Sequence, residues 1–214
     1  AVMHVNNELG TIQPVAEVAR AVRARAKDVH VHCDAVQALG KFPVDVEALG
    51  VDTFAVSAHK IHGPKGVGAL WLRKGARVAP LWSGGGQEGG LRPGTENVAG
   101  IAGFAVAAQQ AVEILATEAA RLDGLRPLVE RQIIEAGLGA WIHGAAAPRV
   151  PHLVSIALPS VPAEPLLHAL EARGVFVSAG AACAAKFHAQ SHVLDALGVA
   201  PAGVAGVNEH RFAL

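Results

Sequence analysis

Short apolar runs alternate with amphipathic stretches through the first hundred residues, and this alternation constrains the fold more than any other feature. The runs Val29–Cys33, Val51–Val56 and Gly68–Leu72 have the length and apolar content of buried strands. Upstream of them, Pro14 opens a predicted helix whose apolar residues recur at spacings of three and four. Strands that alternate with helices predict an α/β fold with a mainly parallel sheet, in which ligands gather at the carboxyl ends of the strands.

The second half of the chain repeats the alternation on a smaller scale. After a glycine-rich loop at Gly84–Gly90, the predicted elements are a long helix at Asn97–Leu125, a strand at His152–Leu158, a helix at Glu164–Arg173, a strand at Val175–Ser178 and a helix capped by Ser191. We therefore expect two domains. Residues 1–117 form the C-terminal part of a larger domain with its linking helix, and residues 118–214 form a smaller α/β domain.

The composition argues against several classes of function. Eighteen basic residues balance eighteen acidic ones, which argues against a nucleic-acid-binding surface. No apolar run approaches the roughly 20 residues of a membrane span. The eleven histidines form no H-x-x-x-H pair with a third ligand, and no C-x-x-C accompanies them, so we expect no metal site. Two cysteines and no secretory signal predict a cytoplasmic protein.

Two residues with clear chemical meaning directly follow predicted strands. Asp34 follows the first strand, and Lys60 comes shortly after Val56 at the end of the second. Pyridoxal phosphate (PLP) needs such a pair, because an amine binds its aldehyde and a carboxylate keeps its pyridine nitrogen protonated. Each residue alone is more often structural, since a lone buried aspartate usually caps a helix or forms a turn. Their occurrence together at strand ends favours a shared cofactor site.

Further polar residues fit the same cofactor. Gln37, one turn after Asp34, can donate a hydrogen bond to the ring hydroxyl of PLP. Ser57 and His59 flank the lysine and can bind phosphate oxygens, and Thr95 precedes a helix start, which also suits an anion. Asn7 is expected to end the opening strand at the same edge of the sheet. Each of these residues could instead have only a structural role in an ordinary connecting loop.

The two cysteines have different surroundings. Cys33 lies within an apolar strand and is expected to be a core residue. Cys183 lies in an alanine-rich loop at Ala179–Ala185, with Lys186 nearby to favour the thiolate. A lone cysteine among alanines is usually a small core residue, but this segment is a poor core element. We therefore expect Cys183 to be a nucleophile or a sulfur acceptor.

Six segments, in this order, resemble the class V aminotransferase family, and within it the cysteine desulfurases of the NifS and IscS type. The segments are His4–Pro14, Asp34–Ala38, Ser57–Gly66, Gly84–Glu88, Arg92–Asn97 and Ser178–Cys183. The resemblance covers essentially the whole chain. It implies a PLP enzyme of fold type I, with part of the large domain and a smaller C-terminal α/β domain, that removes sulfur from L-cysteine and leaves L-alanine.

The resemblance implies a role for each catalytic residue. Lys60 carries PLP and moves the Cα proton, and Asp34 pairs with the pyridinium nitrogen. Cys183 attacks the substrate sulfur and becomes a persulfide, which passes to an iron–sulfur scaffold or another acceptor protein. Arg211 matches the arginine that binds the substrate carboxylate, a task suited to a bidentate guanidinium.

The resemblance also implies a set of cofactor ligands. Gln37 and Asn7 bind the cofactor, and Asn7 also lies at the substrate. Ser57, His59 and, from a partner subunit, Thr95 hold the phosphate, so a homodimer is expected.

The chain departs from the family pattern in two ways. Alanines replace the usual serine and threonine around Cys183, which changes the loop but keeps the thiol. The family's upstream phosphate-binding turn and ring-stacking histidine have no counterpart, and neither do its C-terminal helices. The chain is therefore expected to be a piece of a longer protein or a degraded paralogue. The alternatives are another class V aminotransferase, a selenocysteine lyase or an inactive fragment.

Overall fold

The computed structural model describes residues 1–159, 161–178, 191–198 and 211–213, and the chain divides into two compact units. The first unit comprises Ala1–His4 and Gln13–Ala116, and the second comprises Val5–Ile12 and Thr117–Leu214. The segment Val5–Ile12 thus belongs to the second unit although it lies near the start of the chain. The domain division expected after residue 117 stays a prediction.

A four-stranded sheet forms the centre of the first unit. Its strands, in spatial order, are β1 (Val2–Met3), β2 (His32–Asp34), β3 (Thr53–Ser57) and β4 (Gly68–Leu72). The first three strands run parallel, and β4 pairs antiparallel with β3. A mainly parallel sheet is therefore confirmed, with one antiparallel edge strand. The exception arises because residues 58–67 are too few for the crossover of a dozen or more residues that a parallel return needs.

Three helices accompany this sheet: α1 (Val15–Arg25), α2 (Val46–Leu49) and α3 (Val98–Glu113). The helix predicted after Pro14 is confirmed as α1, which buries Val15 and Ala19 on one face. The side chain of Asp45 caps α2 by accepting hydrogen bonds from the N–H groups of its first turn. These helices follow local sequence patterns that are visible without any knowledge of the fold.

The single long helix predicted over Asn97–Leu125 is wrong. The chain forms α3 and then α4 (Leu115–Glu135), with a break at Ile114. No proline or glycine lies at the break, so the local sequence carries no signal for it.

Among the described helices, none is by itself both long and apolar enough to cross a membrane. Only the bent pair α3–α4, taken together, has the length and composition of a membrane span.

A second, antiparallel sheet lies in the second unit. Its strands, in spatial order, are β5 (Trp141–Ile142), β6 (Ser155–Ala157) and β7 (Arg211–Ala213). The core of this unit contains Val154, Ile156 and Leu158, and leucines of helix α5 (Ala163–Glu171) pack against it. The strand and the helix predicted for this region are confirmed, with shorter bounds for the strand.

Two predictions near the end of the chain have opposite outcomes. The strand predicted over Val175–Ser178 is wrong for residues 175–177, which form no strand and leave Phe176 75% exposed, whereas Ser178 forms a β-bridge. The helix predicted after Ser191 is confirmed as α6 (His192–Ala196). The Ser191 hydroxyl accepts hydrogen bonds from the N–H groups of Val193 and Leu194, as an N-cap should.

The segment Val5–Ile12 is a short hairpin fixed to the second unit. A β-bridge joins its ends, and the Asn6 N–H donates to the Thr11 carbonyl at 3.0 Å. The Val150 N–H donates to the Gly10 carbonyl at 2.9 Å, so the hairpin gains a further backbone connection far along the chain. This long-range pairing accounts for the membership of the hairpin in the second unit.

Candidate active site

Lys60 lies on a single 3₁₀ turn, Ala58–Ile61, which directly follows β3 and which we name the lysine turn. Ala58 and Ile61 are buried and anchor the turn, whereas Lys60 between them is half-buried. The turn ends at His62, whose φ of 66° lies in the left-handed region that side chains rarely adopt. Among the described residues, none forms a hydrogen bond or ion pair with the Lys60 amine. The amine is therefore available to a ligand.

Asp34 ends β2, and the register of the sheet pairs it with Met3 on one side and Ala55 on the other. Its Oδ1 accepts a hydrogen bond from the Val36 N–H at 3.0 Å, which holds the half-buried carboxylate at the end of the strand. Because side chains alternate along a strand, Asp34, Ala55 and Ser57 lie on the same face of the sheet. Asp34 and the strand that leads to Lys60 are thus neighbours, about 4.8 Å apart in the hydrogen-bonding direction.

Ser57 and His59 form a polar pair beside the lysine. The Ser57 Oγ and the His59 Nδ1 are 2.7 Å apart, and the serine is half-buried while the histidine is exposed. When the imidazole is protonated on both nitrogens, its Nδ1–H donates to Ser57, and its second N–H and the hydroxyl proton both remain available. This arrangement can bind an anion such as a phosphate group.

Gln37 lies in the turn that follows Asp34. The Ala35 carbonyl accepts hydrogen bonds from the N–H groups of Ala38 at 2.9 Å and Leu39 at 3.2 Å, and these bonds close the turn. Gln37 is half-buried within it. The structure therefore brings Gln37, Asp34 and the lysine turn to the carboxyl edge of one sheet.

Thr95 is exposed and lies two residues before Asn97, the N-cap of α3, in the first unit. The Asn97 Oδ1 accepts a hydrogen bond from the Gly100 N–H at 3.0 Å and so fixes the start of the helix. The Gln87 Oε1 accepts from the Gly94 N–H at 3.3 Å, which ties the glycine-rich loop to the Thr95 loop. Sequence reasoning assigned Gln87 no role, although an amide within a run of glycines was a visible signal.

The expectation that Asn7 ends the opening strand is wrong. The strand stops at Met3, and Asn7 lies in a turn of the hairpin that belongs to the second unit. The Asn6 Oδ1 shapes this turn by accepting hydrogen bonds from the N–H groups of Glu8 and Leu9, both at 2.9 Å. Asn7 is thus not in the unit that holds Asp34 and Lys60.

The remaining predicted residues differ in how far the structure describes them. Cys183 lies outside the described residues, and Arg211 is described only as backbone in β7, where it pairs with Ala157. Cys33 is confirmed as a core residue with no exposed surface. Burial, together with the neighbouring Asp34 charge, raises the pKa of the Cys33 thiol to about 11, so it is an inert thiol at neutral pH.

Comparison with known proteins identifies the family. Residues 1–204 match the family model described as "Aminotransferase class-V". The chain belongs to the class-V aminotransferase family.

The relatives of this class-V chain include cysteine desulfurases. It is 42% identical to the cysteine desulfurase IscS of Dictyoglomus turgidum over 199 residues, which is 93% of this chain and 50% of that protein. A solved NifS-like protein superposes with a TM-score of 0.85 at 40% identity, covering 99% of this chain and 53% of that one. A structure titled "SspA in complex with cysteine" matches with a TM-score of 0.71 at 28% identity, covering 99% and 57%. The chain spans about half the length of the curated relatives it matches.

These structural neighbours confirm the α/β fold of fold-type I PLP enzymes for this class-V chain, as a partial domain. The first unit also fits the cofactor on its own geometry. A lysine without a described partner follows one strand, and a carboxylate with a single described hydrogen bond ends the neighbouring strand. Small Ala55 stands beside that carboxylate, and the Ser57–His59 pair supplies donors for a phosphate.

Proposed function

We propose that the protein carrying this chain is a PLP-dependent cysteine desulfurase that converts L-cysteine to L-alanine and retains the sulfur on Cys183. One observation carries the proposal. Asp34 and Lys60 follow neighbouring parallel strands at one sheet edge, and neither is saturated by described protein partners. Relatives named cysteine desulfurase support the reaction, and the similar SspA structure in complex with cysteine supports the substrate.

Each residue at the sheet edge has a task in this proposal. PLP, when bound, withdraws electrons from the Cα of an amino acid joined to it. The Asp34 carboxylate keeps a proton on the ring nitrogen, and the Gln37 amide donates to the ring hydroxyl. The Lys60 amine would hold the cofactor covalently, and as a general base it would take up the Cα proton of the substrate.

The phosphate and substrate ligands complete the site. Ser57 and His59 donate hydrogen bonds to the phosphate, and their 2.7 Å contact keeps the two donors together. Thr95 of a partner subunit adds a third donor, so the functional protein is a homodimer. Asn7 binds cofactor and substrate, and the guanidinium of Arg211 binds the substrate carboxylate.

Sulfur leaves the substrate through Cys183. Its thiolate attacks the sulfur of cysteine, an S–S bond forms and the C–S bond breaks. The electron pair of the C–S bond stays on the carbon fragment, which takes up a proton and leaves as alanine. The persulfide then passes its sulfur to the thiol of an acceptor, such as an iron–sulfur scaffold protein, in the cytoplasm.

Two lysines in one segment allow a matched test of cofactor attachment. Lys60→Ala should abolish the visible absorption of bound PLP and the release of alanine from cysteine. Lys65→Ala, at an exposed position nearby, should change neither. A parent protein that holds PLP yet makes no alanine from cysteine contradicts the desulfurase assignment.

The two cysteines separate a desulfurase from its rivals. A selenocysteine lyase or another class-V aminotransferase needs Lys60 and Asp34 but not Cys183. Cys183→Ala should therefore remove alanine formation from cysteine while PLP stays bound, and the inert Cys33 offers the matched Cys33→Ala control. Equal activity of Cys183→Ala and the parent protein would favour the rivals. If the chain is instead an inactive fragment, it should not retain PLP at a micromolar concentration of the cofactor.

A further inference from the structure

Gly63 lies where the chain leaving the lysine turn contacts helix α3. A Cβ added at this glycine would lie 2.9 Å from the Ala58 Cβ, 2.9 Å from the Ala58 carbonyl oxygen and 3.2 Å from the Ala107 Cβ. The backbone of Gly63 is not left-handed, so the need for glycine here is space and not conformation. The two distances below 3.0 Å are to Ala58 in the lysine turn itself, and the 3.2 Å distance to Ala107 shows that the segment after Lys60 also packs closely against α3.

Two further close approaches extend this contact along α3. A Cβ at Gly103 would lie 2.7 Å from the Pro64 Cγ. A Cβ at Gly40 would lie 2.8 Å from the Ala111 Cβ and 3.1 Å from the Ile61 Cγ2. The helix residues Gly103, Ala107 and Ala111 recur every four positions and share one face. This face, which we name the small face of α3, presents only hydrogen atoms and methyl groups.

Backbone hydrogen bonds close the lysine turn, and one of them runs from the His62 N–H to the Ala58 carbonyl. The Ala58 N–H donates to the Val67 carbonyl at 3.1 Å, and the Gly63 N–H donates to the Ala58 carbonyl at 2.9 Å. The turn then ends at His62 in the left-handed conformation, which surrounding structure must maintain. Packing against α3 adds to these bonds, and to the pairing of β3 on both sides in the sheet, as a constraint on where the Lys60 Cα lies.

We propose that the small face of α3 positions Lys60, with Ala107 and Gly103 as positioning residues for the lysine turn. This inference rests on the proposed function for the role of Lys60. Close-packed interiors transmit changes of a single methylene, so a larger side chain on this face must displace the turn. Displacement of a reacting group by about 1 Å can cost roughly 100-fold in rate.

Matched alanine-to-valine variants of the protein test the proposal. Ala107 is buried against the turn, whereas Ala105 is exposed on the same helix, so both variants share the helix-propensity cost of valine. We expect Ala107→Val to lower kcat for cysteine at least 10-fold, with KM changed less than threefold. It should also weaken PLP binding about 10-fold and change the rate at which an amine reagent labels Lys60 in the cofactor-free protein. Ala105→Val should leave all four quantities unchanged.

A compensating pair keeps the test decisive if Ala107→Val does not fold. Gly103→Ala places a methyl against the Pro64 ring, and Pro64→Ala removes the ring atoms that it meets. The proposal expects Gly103→Ala to change Lys60 labelling at least threefold, and the double variant to restore the parent rate. A lower Tm in Ala107→Val or Gly103→Ala with unchanged labelling and PLP affinity overturns it.

The two proposals fail in different ways. If the parent protein binds no PLP, the proposed function fails, while Lys60 labelling in the cofactor-free variants still reports the position of the turn. If the parent releases alanine but labelling is insensitive to both positions on α3, the desulfurase stands and the positioning role is wrong.

Discussion

Asp34 and Asp52 stand at opposite ends of neighbouring strands in one sheet, yet the protein surrounds them differently. Asp52 pairs with Arg23 at 2.9 Å and Arg73 at 2.8 Å, and it accepts a hydrogen bond from the Val31 N–H at 2.8 Å. Asp34 receives one backbone hydrogen bond, at 3.0 Å, within the part of the chain that the structure describes. Protein partners therefore occupy most acceptor sites of the Asp52 carboxylate, whereas most acceptor sites of Asp34 remain open.

The difference separates a structural charge from a functional one. An ionised carboxylate has about four acceptor sites, and buried polar groups are normally partnered. Asp52 meets that expectation at the amino end of β3, where Arg23 also donates to the Gly50 carbonyl at 2.8 Å. Asp34 leaves sites open at the carboxyl edge, where ligands of parallel sheets gather. The number of protein partners therefore distinguishes the two aspartates.

The largest expected effect comes from Asp34→Asn. The amide keeps the oxygen that accepts from the Val36 N–H, so the turn survives, but it loses the charge that holds a proton on the PLP ring nitrogen. We expect kcat/KM for cysteine to fall about 100-fold or more. The free energy of unfolding without cofactor should change by less than about 1 kcal/mol. Steady-state kinetics and denaturant unfolding measure the two quantities. A stability loss as large as the Asp52→Asn loss would remove the contrast between the two aspartates.

The same substitution at Asp52 should have the opposite outcome. Asp52→Asn removes the charge between Arg23 and Arg73, which leaves two arginines near each other without a counterion. Breaking such a partly buried network costs about 2 kcal/mol, less than the roughly 3–5 kcal/mol of a fully buried pair, because both arginines retain contact with solvent. Denaturant unfolding checks the loss, and kcat per folded molecule should stay within about twofold of the parent.

Acid unfolding sharpens this result. Burial raises the pKa of Asp52, but the Val31 N–H and the two arginines lower it more, so the net pKa lies below the ordinary value of 3.8. The group contributes its full stability above pH 3.8 and loses it as the pH falls through the lowered pKa. Below pH 4 the parent should therefore lose stability more steeply than Asp52→Asn. Parallel curves for the two proteins would show that Asp52 is not the source.

Local pattern was sufficient for much of the fold and of the site. The strand Gly68–Leu72 lies where its apolar run and flanking glycines predict it, because both signals are contained within the strand and its turn. Asp34 and Lys60 were identified by their position after strands, and the parallel arrangement of β2 and β3 does bring those ends together. Residues whose environment is set by their own element were therefore predictable.

Long-range pairing accounts for most of what the sequence could not predict. Asn7 was expected at a strand end, but the Thr11–Arg149 bridge incorporates its hairpin into the second unit. The role of Asp52 likewise depends on Arg23 and Arg73, which lie 29 and 21 positions away in the chain. The break at Ile114 has no proline or glycine to mark it. The bridge and the ion pairs join residues more than twenty positions apart, so no local stretch of sequence contains them.

The smallest effect is expected for a substitution at His4. It tests whether a group is functional merely because it lies close to Asp34. The His4 N–H donates to the Asp34 carbonyl at 2.8 Å, but its buried ring contacts Phe42 and its Nδ1 has no partner among the described residues. Burial lowers the pKa of His4 from 6.5, so the unfolded chain binds the proton first and stability falls as the pH drops below 6.5. His4→Leu should remove a slope of at most about 1.4 kcal/mol per pH unit in that window, measured by unfolding at several pH values. PLP affinity should stay unchanged. Weaker PLP binding in His4→Leu at pH 8 would show that a buried group beside Asp34 serves the site. The number of protein partners would then not be enough to separate functional from structural residues.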